Sequence, residues 1–491
     1  MDVATRRGRR IDSANSSTPL SAASPDMFAV FAVLAVGCSA LIGLRALNDN
    51  SFFTHLATGR LILDQNSVPT SDPYSFTSSG EWVVQSWFAS LLYGITDEVF
   101  GATGLRVLTA AFCSTLGWIS WRLTAATQLI VVRAGAVAAS LVIGGMMWSE
   151  RPLLIGLIAF GATLICLVEQ RSPWWLVPLY WLWVNSHGSF PLGLVLIAAM
   201  WAGSRFDRVD ATSTIRVGRL ALLGTLVGGV LNPYGPKFLL FPLDLLGKSD
   251  ALGHIREWQS PDFSLRWAQV FMILVFAAGT ALMMRRSWRL AVPLAVFFGA
   301  ALLASRNVGV ASMVALPAIA YGFSGSEDAA GLGESSDRPA SSSRRTPTLA
   351  IILGVALCAM GVVSLSKPDY ALDRYPVNAV DWMVEEDIRD ADFRLAHSDV
   401  VGNYLTLRFR EDASVFIDDR FEVHDEALIS DYLVLRDGTN TWSDVLERHS
   451  IDALLWNSDQ PLVQLAVSEL GWEIRYSDDD WSVVCRPGAC A

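Results

Sequence analysis

The sequence predicts a mainly α-helical protein, a polytopic membrane helix bundle of about eleven spans, with a small α/β domain at its C-terminal end. Three observations lead there. Of 491 residues, 52% are hydrophobic and 17% charged, with 18 Trp, a balance far from that of an ordinary water-soluble domain. Apolar runs of roughly the 17 to 25 residues needed to cross a bilayer recur along the chain. Charge is also segregated: from Lys367 to Ala491 there are 27 acidic and 11 basic residues, a net of -16, whereas the whole chain carries -11 and its first 366 residues therefore +5.

The expected spans follow in order. They begin with Met27 to Leu47, Gly104 to Thr124, Arg133 to Trp148 and Pro152 to Val168. Trp174 to Val184 and Phe190 to Gly203 read as two spans meeting at a tight outer turn. Arg219 to Val230, Ala268 to Met284, Leu290 to Ala304, Val308 to Phe323 and Leu349 to Leu365 complete the set. The bundle then occupies 27–323 with an outer loop at 48–103, and the last span lies within 348–366.

Orientation follows from the excess of Lys and Arg in short cytoplasmic loops. Arg6, Arg7, Arg9 and Arg10 precede the first span, and Arg205, Arg208, Arg216, Arg285, Arg286, Arg289, Arg344 and Arg345 fall in alternate loops. A cytoplasmic N-terminal segment, 1–26, satisfies all four groups at once. The protein is then expected in the plasma membrane with residues 367–491 outside the cytoplasm.

Residues 324–347 are rich in Ser, Gly, Ala and charge, and read as a flexible cytoplasmic linker. Beyond Pro368 the style changes. "PVNAVDWMVEE" and "PLVQLAVSEL" have helical spacing, whereas "SVFIDDR", "IDALLWN", "WEIRYS" and "WSVVCR" read as short strands. Alternation of the two suggests an α/β domain. Of six Cys, Cys485 and Cys490 lie in that domain, where a disulfide is permitted.

One orientation gathers unlike polar residues at the outer ends of the spans: Asp49, His55, Arg60, Glu150, Arg151, Asn185, His187, Asn232, Lys237, Arg256, Glu257, Arg306 and Asn307. Charges held near hydrocarbon usually face a bundle interior or a water-filled cavity. Each also has a plainer reading. Asp49 and Asn50 can cap a loop helix beginning near Ser51, and Pro152 of "ERP" suits a first helical turn. "NSHGSF" and "LNPYGP" have turn composition. "DDR" (Asp418 to Arg420) reads as an exposed strand end that could also grip an ion or ligand.

The order of these segments resembles a group of bacterial multi-pass proteins related to the GT-C glycosyltransferases, which act on lipid-linked sugars. It is carried by "THLATGRLILDQNSVPTSDPYSFT" after an Asp, a span opening with "RP", then "WVNSHGSF", "NPYGPK", "REWQSPDF", "RN" and "VFIDDR", from about Asn48 to Arg486. The resemblance implies a membrane bundle with a catalytic acid in the first outer loop, a polyprenyl-phosphate sugar donor and a soluble C-terminal domain. Asp49 matches the acidic position and His55 the histidine after it. The sequence departs from the pattern at Thr54, where relatives tend to carry an aromatic, and at Gln85 and Ser86, where they tend to carry an acid.

The chemistry so implied is glycosyl transfer at the outer face of the cell envelope. A carboxylate must accept the proton of the acceptor, and fixed cations must meet charge growing on the departing phosphate. Asp49 and His55 are the catalytic candidates, with Arg60, Glu150, Arg151, His187, Arg256 and Arg306 binding substrate. A divalent cation through Asp49 and Glu150 is compatible with the pattern, although no metal-ligand spacing is present. The alternative is a non-catalytic membrane protein that binds or moves a lipid-linked glycan. Absence of internal repeats argues against an ion-coupled transporter, and a domain at -16 argues against nucleic acid as a partner. Sugar and acceptor are left open.

Overall fold

The computed structural model describes residues 25–78, 80–243, 256–325, 346–388, 392–420 and 422–490. The basic N-terminal segment up to residue 24 and most of the expected linker, 326–345, lie outside the described residues.

Each long apolar run forms a helix. These are α1 (Pro25–Gly43), α3 (Trp87–Leu123), α4 (Ile130–Met147), α5 (Leu153–Val168), α6 (Leu176–Ser186), α7 (Pro191–Asp207), α8 (Thr212–Val230), α9 (Arg266–Met284), α10 (Trp288–Leu303), α11 (Val308–Gly322) and α12 (Thr346–Leu365). A shorter helix, α2 (Asn50–Gln65), sits in the first loop. Among the described residues, Trp87–Leu123, Ile130–Met147, Arg266–Met284 and Thr348–Leu365 are long and apolar enough to cross a membrane. Val131 is 80% exposed and Met283 88%. Apolar surface on that scale is stable against lipid rather than water, and the chain is a membrane protein.

The bundle packs around α11, whose residues from Val308 to Ala320 are all buried. Phe160, Trp183, Phe297 and Met313 share its core. In α3, Gly101 takes φ 64° and ψ -166°, a conformation open to glycine at little cost, and bends the helix there. The part before the bend belongs to the outer loop expected at 48–103, and the apolar part follows it.

A second core joins the first loop to the C-terminal domain. Phe52, Phe53 and Leu56 of α2 pack with Tyr375, Val380, Tyr404, Val415 and Val483. The domain contains α13 (Val377–Glu385), β1 (Leu395–His397), α14 (Asp399–Phe409), α15 (Glu426–Asp437), α16 (Trp442–Arg448), β2 (Ala453–Asn457), α17 (Pro461–Leu470), β3 (Glu473–Ser477) and β4 (Trp481–Cys485). Its sheet order is β1-β2-β4-β3, with β1 parallel to β2 and the other pairs antiparallel. Cys485 and Cys490 form a disulfide.

Three of the four expected strands are present. The fourth, "SVFIDDR", is not a strand of this sheet. Val415 instead exchanges backbone bonds with the outer loop, donating to Tyr74 O at 2.8 Å and accepting from Phe76 N at 3.1 Å. The missing strand is β1, three residues long and too short for alternation to reveal.

Arg106 fastens the segments that follow α1 and α12 together. Its side chain is wholly buried. It donates to Leu44 O and Arg45 O after α1, to Ser364 O and Lys367 O at the end of α12, and to Asp369 at 2.9 Å.

Candidate functional site

A cavity of about 220 Å³ opens where the first loop, the bundle and the C-terminal domain meet. One helix face supplies much of one wall. Ser51, Thr54, His55 and Thr58 line it, and their spacing of i, i+3, i+4 and i+7 places them in one stripe of α2. Gly59 makes that placement possible: a Cβ there would stand 1.9 Å from Ser90 O, so α2 lies directly against α3. His55 Nδ1 consequently reaches Ser90 Oγ at 3.2 Å.

Asp49 caps α2. Its Oδ1 accepts from Phe52 N at 3.3 Å, and Arg151 Nε stands 2.7 Å from each carboxylate oxygen. Arg151 lines the cavity and also pairs with Glu257. Burial works against the Arg151 charge, but Asp49 and Glu257 outweigh it and push its pKa above the usual guanidinium value.

Glu150 faces away from this arrangement. Its Oε1 accepts the backbone N–H of Asn48 at 2.6 Å and of Asp49 at 2.8 Å. It therefore holds the start of α2, and the expected contact with substrate is corrected. Burial, then the charge of Asp49, raises its pKa against these two donors. Asp49 and Glu150 thus turn their oxygens to a guanidinium and to amides and do not fit a shared divalent cation. No step is derived through one.

His187 and Arg306 also line the cavity. His187 follows α6 in extended conformation, φ -159° and ψ 133°, at the turn into α7. Arg306 lies 4.2 Å from the centroid of the Trp258 ring. Burial lowers the pKa of His55 to about 4, with the pull of Asp49 partly offset by Arg151 and Arg420. Burial followed by Arg306 lowers that of His187 to about 3. Both rings are neutral near pH 7.

One further expectation needs correction. Arg60 does not line the cavity; it points off the stripe to Asp97, 2.7 Å away. Arg256 begins the short helix Arg256–Trp258, but its side chain lies outside the described residues.

The C-terminal domain adds Asp419, Arg420 and Glu422 to the wall. Far from ending an exposed strand, Asp418 is fully buried and Arg420 is 6% exposed. Arg420 pairs with Asp418 and Asp72, and covers the rings of Tyr74 and Trp82 at 5.1 and 4.6 Å. Against the cost of burial, Arg420 and His424 hold Asp418 well below the usual carboxylate range. Asp419 is different. It accepts from the Ser51 hydroxyl and from Asn403 Nδ2, yet burial, then the charge of Asp418, pushes its pKa up to about 7. The signal available in the sequence was the acid pair of "DDR" itself, the residue type that a transfer reaction requires.

The positions where the sequence departs from the family pattern also meet here. Thr54, Gln85 and Ser86 all line the cavity beside Trp82.

No sequence-family model matches the chain, nor does any curated sequence. Solved structures do match. The oligosaccharyltransferase of Archaeoglobus fulgidus, tethered to an acceptor peptide containing the NVT sequon, superposes with a TM-score of 0.54 at 12% identity, over 88% of this chain and 69% of that one. The arabinofuranosyltransferase AftD from Mycobacteria gives 0.48 at 12% identity, over 95% of this chain and 40% of that one. ArnT from Cupriavidus metallidurans, bound to undecaprenyl phosphate, gives 0.44 at 13% identity, over 95% and 98%. The oligosaccharyltransferase match carries the argument, and what it shows is the fold: this chain shares the architecture of that oligosaccharyltransferase.

Proposed function

We propose that the protein transfers a sugar from a polyprenyl-phosphate donor to an acceptor at the outer face of the plasma membrane. The observation that carries this reading is the cavity whose lining brings together a carboxylate with raised pKa, Asp419, the guanidinium groups of Arg151 and Arg306 and two neutral histidines. In this reading the chain crosses the membrane about eleven times, its N-terminus is cytoplasmic, and residues 367–491 stand outside. The disulfide in that domain is consistent with an oxidising compartment.

In the transfer, an acceptor O–H or N–H attacks the anomeric carbon while the bond from that carbon to the phosphate oxygen breaks. The bonding pair leaves on the phosphate. The acceptor proton passes to a carboxylate, a contribution of about 10² to 10⁴ in rate. Asp49 was the candidate from the sequence, but its oxygens are held by Arg151 and by the cap of α2. We assign proton removal to Asp419, with Asp49 orienting Arg151. Arg151 and Arg306 meet the developing phosphate charge, for which a guanidinium fork is well shaped. His55 orients the acceptor.

A non-catalytic reading has one observation in its favour, the engagement of Asp49 just described. Protein reconstituted in nanodiscs with polyprenyl-phosphate-linked sugars separates the two. Release of polyprenyl phosphate that falls at least a hundredfold in Asp419→Asn supports catalysis. Retention of the lipid-linked donor without turnover supports the binder, and neither turnover nor retention sinks both.

A further inference from the structure

Gly156 of α5 has no side chain, and a Cβ there would stand 2.7 Å from Ser189 Oγ, 3.1 Å from Trp183 Nε1 and 3.4 Å from His187 Nδ1. Three polar atoms therefore meet where only a glycine leaves room. Their roles follow from what each can donate. An indole N–H only donates, so Trp183 Nε1 donates to Ser189 Oγ at 3.0 Å. A backbone amide also only donates, so Ser189 N–H gives its proton to His187 Nδ1 at 3.2 Å. Nδ1 must then carry a lone pair, and the Ser189 hydroxyl, 2.7 Å away and already accepting from the indole, donates to the same nitrogen.

A neutral imidazole with an unprotonated Nδ1 carries its proton on Nε2. Nε2 has no hydrogen-bond partner among the described residues, and the ring lines the cavity. Arg306, on the same wall, likewise has no ion-pair partner among the described residues. The titratable groups that act on His187 are Arg306, His55 and Arg151, and Glu257, Asp419, Arg420 and Glu422 also line the cavity. The guanidinium groups of Arg306 and Arg151 disfavour a positive charge on the ring.

We propose that Trp183 and Ser189 are positioning residues that hold His187 with its Nε2–H facing the cavity, where the uncharged ring donates a hydrogen bond, beside Arg306, to a phosphate oxygen of the donor. This rests on the glycosyl-transfer reading and names the part of the substrate that this wall takes. A ring that stays neutral binds the leaving phosphate without protonating it. A charge-assisted bond of this kind is among the stronger hydrogen bonds, worth about a factor of ten or more in affinity.

The test uses the full chain in nanodiscs with ¹⁵N-labelled histidine. Six histidines are present, and His187→Gln assigns the one of interest. The expected spectrum shows an unprotonated Nδ1 and a protonated Nε2 from pH 5 to 8; a protonated Nδ1, or a ring titrating near pH 6.5, overturns the proposal. Ser189→Ala is expected to bring in the second tautomer and to raise donor KM about tenfold with kcat little changed, and Ser189→Thr to restore both. An unchanged tautomer and KM in Ser189→Ala overturns it, and if that variant does not fold the parent spectrum decides. Undecaprenyl phosphate is expected to shift the Nε2–H resonance where inorganic phosphate at equal concentration does not. Response to neither, or to inorganic phosphate alone, overturns the ligand assignment. The expected tautomer in a protein that transfers no sugar would leave the relay standing and remove the transferase reading.

Discussion

Arg151 Nε stands 2.7 Å from both carboxylate oxygens of Asp49, and the same guanidinium reaches Glu257 through Nη1. Asp49 thereby does two jobs, capping α2 and aiming Arg151. Asp49→Asn keeps an amide oxygen for the cap but loses the charge that directs Arg151. We expect sugar transfer to fall about a hundredfold, with unfolding nearly as in the parent. Asp49→Ala loses the cap as well and should cost about 1 kcal/mol more in stability. Equal unfolding midpoints for the two variants would remove the capping role.

The pH dependence follows from Asp419, whose pKa is raised from 3.8 to about 7. As proton acceptor it works deprotonated, so the transfer rate should climb through about pH 7 and then level. His55 and His187, lowered to about 4 and about 3, stay neutral above pH 5 and add no limb there. For stability the direction is opposite. A carboxyl that binds its proton more tightly when folded contributes fully below about pH 3.8, and the contribution is lost as pH rises through 7. Thermal unfolding of Asp419→Asn against the parent from pH 4 to 8 should show the variant gaining as pH rises. A constant gap would exclude the shift.

Gly59 is the close contact between α2 and α3. Gly59→Ala places a methyl group within 1.9 Å of Ser90 O, a backbone atom that cannot move aside alone. We expect about 1 to 3 kcal/mol of destabilisation, and weaker acceptor binding as His55 leaves Ser90. Calorimetry that shows no loss would mean that the helices separate freely.

Arg420 ties the C-terminal domain to the first loop through Asp72, Tyr74 and Trp82. Arg420→Met leaves Asp72 and Asp418 buried without their cation, which should cost about 3 to 5 kcal/mol. Hydrogen exchange is the measurement: residues 71–77 and 414–420 should lose protection together. Loss confined to one of the two segments would show that they are not coupled.

The helices were legible because an apolar run is a local property, written in consecutive residues. His55, Arg151, His187 and Arg306 were legible for a related reason: topology places every second loop on one side, whatever the tertiary detail. The misplaced residues fail for lack of partner information. Arg60 finds Asp97 on another helix, and Glu150 finds the amides of Asn48 and Asp49, about a hundred positions earlier. Nothing beside either residue announces these partners. "SVFIDDR" has the apolar start of a strand; Phe416 and Ile417 are buried in the domain's own core, whereas residues 72–77 supply the backbone pairing and a counter-charge. The acid on the cavity wall was thus hidden behind a correct local pattern with a distant partner.

Arg106 has a consequence for the order in which the protein can be made. Its acceptors at Leu44 and Arg45 precede it, whereas Ser364 lies 258 positions later and Asp369 lies 263 positions later. Until the ribosome has delivered those residues, a guanidinium destined for complete burial lacks Ser364, Lys367 and Asp369 as partners. The bonds through which Arg106 joins α1 to α12 therefore form only after residue 369 has been made. The cavity, whose wall includes Asp419 and Arg420, is completed later still.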